Sequence, residues 1–326
     1  MKKTLLAIVF SGLMAVASAA HAEPTTISIS AAPPGGPWYV GMGAYAKVIN
    51  SMFPELNATV FPGVGVANVV HVGLNKSQVG VTCTALMAAG LNGTDPYKKP
   101  ANIRALGNFN DISVAYVAIP EGSNITSISQ MIADKARVRI DMGSKVGGFA
   151  ELFQRWMLEE YGLDKKTIES WGGKMLPLAK SEAVAMLQNR QIDLELDMNS
   201  GDFPSKYQEV LKTVDMEFQD IPQEIIDAMV KKHPGLQAGV IPKGYLNGYI
   251  DRDIPTFTAT NGLVINADVP DDVAYKLAKA LHLGAKDIGL AFPGWNNITT
   301  ENICTGLPIE IHPGAAKYYR EIGCLK

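Results

Sequence analysis

Three features of the sequence predict an α/β fold of two Rossmann-like lobes, joined by two crossing segments with a ligand cleft between them. Short β-branched or apolar runs alternate with segments of helical period, the pattern of β-α units around a largely parallel sheet. That rhythm runs through two blocks of the chain. Between them lie two extended stretches, 103 to 122 and 253 to 270, with little helical period, and each suits a passage from one lobe to the other.

The first block opens with TTISISA (25 to 31), a strand. Met42, Tyr45, Ile49 and Met52 then recur at spacings of three and four, which marks one buried helix face. ATVFPG (58 to 63) is a second strand, 65 to 74 a second helix and QVGVT (78 to 82) a third strand. This is β-α-β-α-β, for which right-handed crossovers are expected. IRALGNFNDISVAYVAIPEG (103 to 122) reads as two strand-like runs and is the first crossing. The second block holds a helix near 126 to 133, the strand ARVRIDMG (136 to 143), and a helix on which Phe149, Leu152, Phe153, Trp156 and Met157 form an apolar stripe. A helix over 180 to 189, the strand QIDLELDM (191 to 198) and further helical pattern to about residue 231 complete it. After the return crossing, DIPTFTATNGLVINADVP (253 to 270), one long helix is expected from Pro270 to Leu290, with Val273, Leu277 and Leu281 on one face. The last helix holds Ala315 to Ile322, behind the His312-Pro313-Gly314 turn. Residues 23 to 115 with 257 to 326 are therefore expected to form one lobe, and 116 to 256 the other.

Residues 1 to 22 are set apart from the fold. Lys2 and Lys3, an uncharged run from Thr4 to Ala20, and Ala20-His21-Ala22 before Glu23 have the arrangement of a secretory signal peptide. The mature chain is expected to start at Glu23 and to work in the periplasm. Without Lys2 and Lys3 the formal charge goes from −3 to −5, and no basic run occurs anywhere, so nucleic acid is not an expected partner. Cys83, Cys304 and Cys324 allow at most one internal pair in an oxidising compartment. Cys304 with Cys324 is the expected disulfide, because both lie in the last segment and close a short loop. Cys83 then remains a lone thiol.

Most catalytic signatures are absent: no G-x-S-x-G, no H-E-x-x-H, no G-x-x-x-x-G-K-[ST] and no Cys/His spacing of a zinc site. No catalytic residue, metal or cofactor is expected. His233 and His312 both stand in His-Pro-Gly turns, where a surface or capping role is the ordinary one. Glu195 and Asp197 share one strand face, which suits either a place beside a substrate or a solvated strand end. The glycine-rich turns say more. Strands of a parallel sheet aim their carboxyl ends at the ligand crevice, and each following helix offers unpaired N–H groups there. Gly35 and Gly36 follow the first strand, Gly63 and Gly65 the second, and Gly143-Ser144-Lys145-Val146-Gly147-Gly148 the strand at 136 to 143. Bare backbone lets a carboxylate approach such N–H groups. Trp38 and Tyr39, just after the first turn, offer an apolar wall and a hydroxyl, or pack one ring into the core.

Around these residues the chain resembles the TAXI family of solute-binding proteins, which serve tripartite TRAP transporters. The resemblance rests on SAAPPGGPWYVGMGAYAKVIN, LGNFNDISVAYVAIPEGSNITSISQM, RVRIDMGSKVGGFAE, KSEAVAMLQNRQIDLELDMNSGDFP and the terminal EIHPGAAKYYREIG, in order over nearly the whole mature chain. It implies two α/β lobes of the type II periplasmic binding-protein class closing over a small carboxylate, which is handed to an integral membrane permease driven by an ion gradient. Several members of the family bind glutamate, glutamine or 2-oxoglutarate. By matched motif, the ligand-binding residues implied are Gly36, Trp38 and Tyr39 from the first turn, Gly65 and Asn68 from the second, and Cys83 and Thr84 from the third. Ser144, Lys145 and Val146 are implied in the second lobe, with Gly201, Asp202 and Phe203 as weaker candidates for the far wall. The chain also departs from the family. Gly63-Val64-Gly65-Val66-Ala67-Asn68 lacks a Ser hydroxyl, Cys83-Thr84 replaces a Gln-Ser pair, and Gly143-Ser144-Lys145-Val146 loses a Thr hydroxyl while gaining an amine. A pocket built on hydrogen bonds discriminates strongly when one partner is removed, so glutamate does not carry over automatically. The expected protein is a monomeric solute receptor. The alternatives are a receptor of the same fold serving a sensor or another transporter class and, further off, an exported enzyme.

Overall fold

The structure is a computed structural model and describes residues 24–142, 149–200 and 205–326. The first lobe begins with β1 (Thr25–Ser30), α1 (Pro37–Met52), β2 (Leu56–Phe61), α2 (Gly65–Gly73), β3 (Val79–Cys83) and α3 (Thr84–Asn92). β4 (Ile103–Pro120) then crosses to the second lobe. That lobe contains α4 (Ile128–Asp134), β5 (Arg139–Asp141), α5 (Phe149–Glu160), α6 (Lys165–Ser170), β6 (Lys174–Leu176), α7 (Lys180–Gln188) and β7 (Leu194–Ser200). It continues with α8 (Ser205–Val210), β8 (Met216–Gln219), α9 (Gln223–Lys232) and β9 (Leu236–Ile241). β10 (Ile254–Asn266) returns, and α10 (Asp271–Leu283), α11 (Ala285–Ala291), a 3-10 turn at Pro293–Trp295 and α12 (Pro313–Glu321) close the first lobe.

The strands join in the order β2-β1-β3-β10-β4-β7-β5-β6, with β8 beside β4 and β9 beside β10. β1 runs parallel to β2 and β3, and β5 runs parallel to β6 and β7. The two long strands β4 and β10 are antiparallel and belong to both halves of the sheet. The predicted α/β class with two crossings is thus the observed one. Helices cover both faces, as parallel strands require. Tyr45, Leu277, Trp295 and Tyr319 anchor one apolar cluster beneath α1, α10 and α12. On the opposite face Leu86, Met131, Trp156 and Phe257 belong to a cluster shared by both lobes, while Tyr116, Leu187, Tyr207 and Phe218 form a third in the second lobe.

Besides the helices α3 and α6, for which no expectation was drawn, three features differ from the sequence reading. The first crossing is one strand, bent by a bulge: Asn261 pairs with Asp111 and Gly262 with Asn108, so Phe109 and Asn110 are inserted, the latter at φ 53°. The expected long helix is two, broken at Gly284. A β-carbon there would come 2.6 Å from Val48 Cγ1, so only glycine lets the chain pass α1 at that point. β6, β8 and β9 were not foreseen; at three, four and six residues they are too short to set a period against their helical surroundings. A disulfide joins Cys304 to Cys324.

Candidate functional site

Pairing registers locate the crevice. β3 ends at Cys83, which pairs with Asn261 of β10, and Asn261 pairs in turn with Asp111 of β4. β7 ends at Ser200, opposite Ser113 of β4. The carboxyl ends of β1, β2 and β3 therefore face those of β5, β6 and β7 across the short segment Asp111 to Ser113. In an otherwise buried strand, Ile112 of this segment is 51% exposed. This is where open α/β sheets receive ligands.

A polar network lies under that floor. Asn261 Nδ2 donates to Asp111 Oδ2 at 2.9 Å and to Ser113 Oγ at 3.2 Å, and Trp295 Nε1 donates to the same Asp111 oxygen at 3.3 Å. The Ser200 hydroxyl bonds Asp111 from the second lobe. Burial pushes the Asp111 carboxyl above the usual carboxylate range, while these three donors pull it back down. Trp295 stacks on Phe109 at 3.8 Å. None of these residues was singled out from the sequence. A signal was present, since Asn108, Asn110, Asp111 and Ser113 interrupt an apolar strand run.

On the first-lobe side the turn before α1 holds Gly35 at φ 82°, a conformation that favours glycine, and Gly36 as N-cap. No side chain caps the helix, and no acidic residue stands in its first turn. Pro37 has no N–H, and Val40 N–H closes the first helical bond on Gly36 O at 3.1 Å. The main-chain N–H groups of Trp38 and Tyr39 are therefore the donors of this helix start. Both side chains are half-buried and pack against the first lobe's core. α2 likewise begins without a side-chain cap, after Val64. Its first residue, Gly65, accepts the Thr82 hydroxyl at 3.0 Å on its carbonyl, and a β-carbon there would meet nothing nearer than 3.6 Å.

The remaining first-lobe candidates sit behind the crevice. Asn68 is fully buried and donates from Nδ2 to the carbonyls of Ala31 at 2.7 Å and Val81 at 2.8 Å, tying α2 to β3 and to the turn after β1. Its Oδ1 lies against Gly63, where a β-carbon would overlap it. The motif glycine required by packing is thus Gly63 rather than Gly65. Cys83 is wholly buried, and burial pushes its thiol upward. Thr84 donates to Gly235 O at 2.6 Å and accepts from Thr260 N–H at 3.3 Å. The His-Pro-Gly turn of the second lobe covers the start of α3, and Gly235, at φ 97°, has no room for a β-carbon against Thr84. The expected open wall at Cys83 and Thr84 is instead a contact between lobes. His233 of that turn stacks on Trp156 at 3.8 Å, and burial pushes its imidazole down to about 4. His312 caps α12, accepting from Gly314 N–H at 3.3 Å.

On the second-lobe side, Ser144, Lys145, Val146, Gly201, Asp202 and Phe203 lie outside the described residues. Among the described residues of the second lobe, four charged side chains are buried together. Lys206 of α8, 5% exposed, places Nζ 2.8 Å from Asp197 Oδ2 and 3.4 Å from Asp141 Oδ2, and in contact with Glu195 Oε1. Asp141 closes β5, and Glu195 and Asp197 are on β7. Glu195 and Asp197 are thus neither a solvated strand end nor open to a substrate. Burial acts to lower the Lys206 ammonium, but Asp197 and Glu195 raise it well above its ordinary range. Burial pushes Glu195 up to about 7, against the pull of Lys206.

Solved structures share this architecture. PhnD1 from Prochlorococcus marinus (MIT 9301), in complex with methylphosphonate, is similar over 92% of this chain and 98% of its own at 11% identity, with a TM-score of 0.53. XAC2383 from Xanthomonas citri, bound to chloride ion, is similar over 91% and 95% at 10% identity, with a TM-score of 0.51. At such identities the likeness is one of fold. Sequence carries the assignment further: the model of the NMT1-like family matches residues 29–323, nearly all of what folds into the two lobes, and this chain belongs to that family.

Proposed function

We propose that the protein is an extracytoplasmic solute receptor of the TAXI type, which captures a small organic carboxylate, an amino acid or a dicarboxylate-like acid, between two closing lobes. The observation that carries this reading is the crevice itself. Opposed strand ends meet over Asp111 to Ser113, and two helices begin there without a side-chain cap. The positive ends of α1 and α2 favour an anion, with the Trp38 and Tyr39 N–H groups as its donors. Trp38 and Tyr39 supply the apolar flank. PhnD1 and XAC2383, which share the fold, hold methylphosphonate and chloride, both anions.

The receptor carries no catalysis and hands its solute to the membrane subunits of a TRAP permease. The signal-peptide pattern of residues 1 to 22 supports export to the periplasm. Closure bends β4 and β10, the two strands that link the lobes. The hydroxyls that the motifs lack point to a solute less polar than glutamate.

A thermal-shift screen of the mature chain against mono- and dicarboxylates, amino acids and aromatic acids tests the reading. A solute at 100 times its dissociation constant adds about 2.7 kcal/mol and moves the melting point by several degrees. Trp38→Ala should abolish the shift while the unliganded protein still melts cooperatively. Silence of the whole panel, with folded and solute-free protein, would count against a carboxylate receptor.

A further inference from the structure

Asn261 of β10 holds a buried hydrogen-bond acceptor that nothing among the described residues uses. Its Nδ2 reaches three acceptors: Asp111 Oδ2 at 2.9 Å, the Asp111 carbonyl at 3.3 Å and Ser113 Oγ at 3.2 Å. An ionised carboxylate and a carbonyl only accept, so the amide stands in one orientation, with Nδ2 towards β4 and Oδ1 turned away from it. Trp295 and Ser200 in turn hold the Asp111 carboxylate. Oδ1 is buried and, among the described residues, has no hydrogen-bond partner. An unpaired buried acceptor is unfavourable, and native structures rarely keep one without a water or a ligand to complete it.

Asn68 Oδ1 is unpaired as well, but it lies behind the crevice, packed against Gly63. Asn261 differs in its place. It stands in the last paired row of β3, between Cys83 and Asp111, and the residue that follows Asp111 on β4 is the exposed Ile112. Gly41 of α1 lies against the Trp295 ring, so the network also abuts the helix whose start is proposed to hold the carboxylate. Asn261, Asp111 and Ser113 are all buried in strands whose other buried side chains are mostly apolar. Such burial is costly, and natural chains keep it chiefly where function needs it.

We propose that Asn261 Oδ1 accepts a hydrogen bond from the solute, that Asp111 and Ser113 are the positioning residues that aim it, and that the receptor therefore selects acids carrying a hydroxyl or an ammonium on the carbon next to the carboxylate. This deepens the receptor reading above and rests on it. A solute with such a donor completes the acceptor, whereas a plain acid leaves it buried and unpaired, and that difference is what a hydrogen-bonding site discriminates by. The hydroxyls missing from the turn motifs leave the rest of the solute apolar.

Calorimetric titration of the mature chain with matched triads of acids tests this: succinate with malate and aspartate, isocaproate with leucic acid and leucine, and hydrocinnamate with phenyllactate and phenylalanine. Within a triad only the substituent next to the carboxylate changes. In a triad that binds, the hydroxy or amino acid should bind about tenfold tighter or more than the plain acid, and Asn261→Ala should bring the members to within about twofold of one another. Preference for the hydroxy acid identifies a hydroxyl as the donor, preference for the amino acid an ammonium, and either supports the subsite. A triad that binds with equal affinities in the wild type overturns the proposal and leaves the receptor reading intact. So does a preference that N261A retains, since a buried water then completes Oδ1. Silence of every triad overturns both. Should N261A not fold, nitrogen-15 NMR of the wild type decides: the Asn261 side-chain amide signals should move with the donor-bearing member of a binding triad and stay with its plain acid, and equal movement with both refutes the proposal.

Discussion

At Gly41, a β-carbon would overlap the Trp295 ring, whereas at Gly43, one turn-half further along the same helix, it would meet nothing within 4 Å. The contrast makes a prediction. Gly41→Ala should cost about 2 kcal/mol through overpacking, and should shift Trp295 away from Asp111. Gly43→Ala should stabilise by about 0.8 kcal/mol, the helix-propensity gain of an exposed site. Chemical denaturation with Trp fluorescence reads both, and equal effects of the two would contradict the packing described. Asn68 and Gly63 obey the same logic on the second turn. The asparagine spends its amide on two carbonyls, and the glycine makes room for its oxygen. A sequence motif shows that such residues belong together but not whether they face a solute or each other. That is why Asn68, Cys83 and Thr84 read as ligand residues and lie buried.

Among the elements, the disulfide fastens the segment between the 3-10 turn and α12. It closes a separation of 20 residues, so replacing Cys304 and Cys324 together by Ser should cost about 3 kcal/mol. Urea denaturation of the double variant checks this, and an unchanged midpoint would show that the segment is held by its apolar contacts alone. Elements with a long period were legible: α1, α5 and α10 show their buried faces as spacings of three and four, and β1, β3, β4 and β10 as β-branched runs. Those set by tertiary contact were not. The break at Gly284 comes from the approach of Val48, far away in sequence yet adjacent in space, and the bulge at Phe109 and Asn110 appears only once β10 is beside β4. Lys206 shows the same limit, since α8 and β5 lie far apart in sequence and nothing local announces that they share a charge cluster.

At the scale of the whole molecule, the alternation of strands and helices and its two interruptions foretold two lobes joined by two crossings, because parallel β-α units leave few topologies to choose from. The register of β4 against β3, β10 and β7 then fixes where the lobes face each other. No helix among the described residues is long and apolar enough to cross a membrane. The central claim is that a solute binds where the starts of α1 and α2 meet the floor at Asp111 to Ser113. Amide NMR of the nitrogen-15-labelled mature chain, titrated with a carboxylate that raises its melting point, tests this most directly. The account predicts the largest shifts at the N–H groups of Trp38, Tyr39, Gly65 and Ile112. Shifts concentrated instead at the opposite end of the sheet, around Thr25 and Asp268, would contradict it.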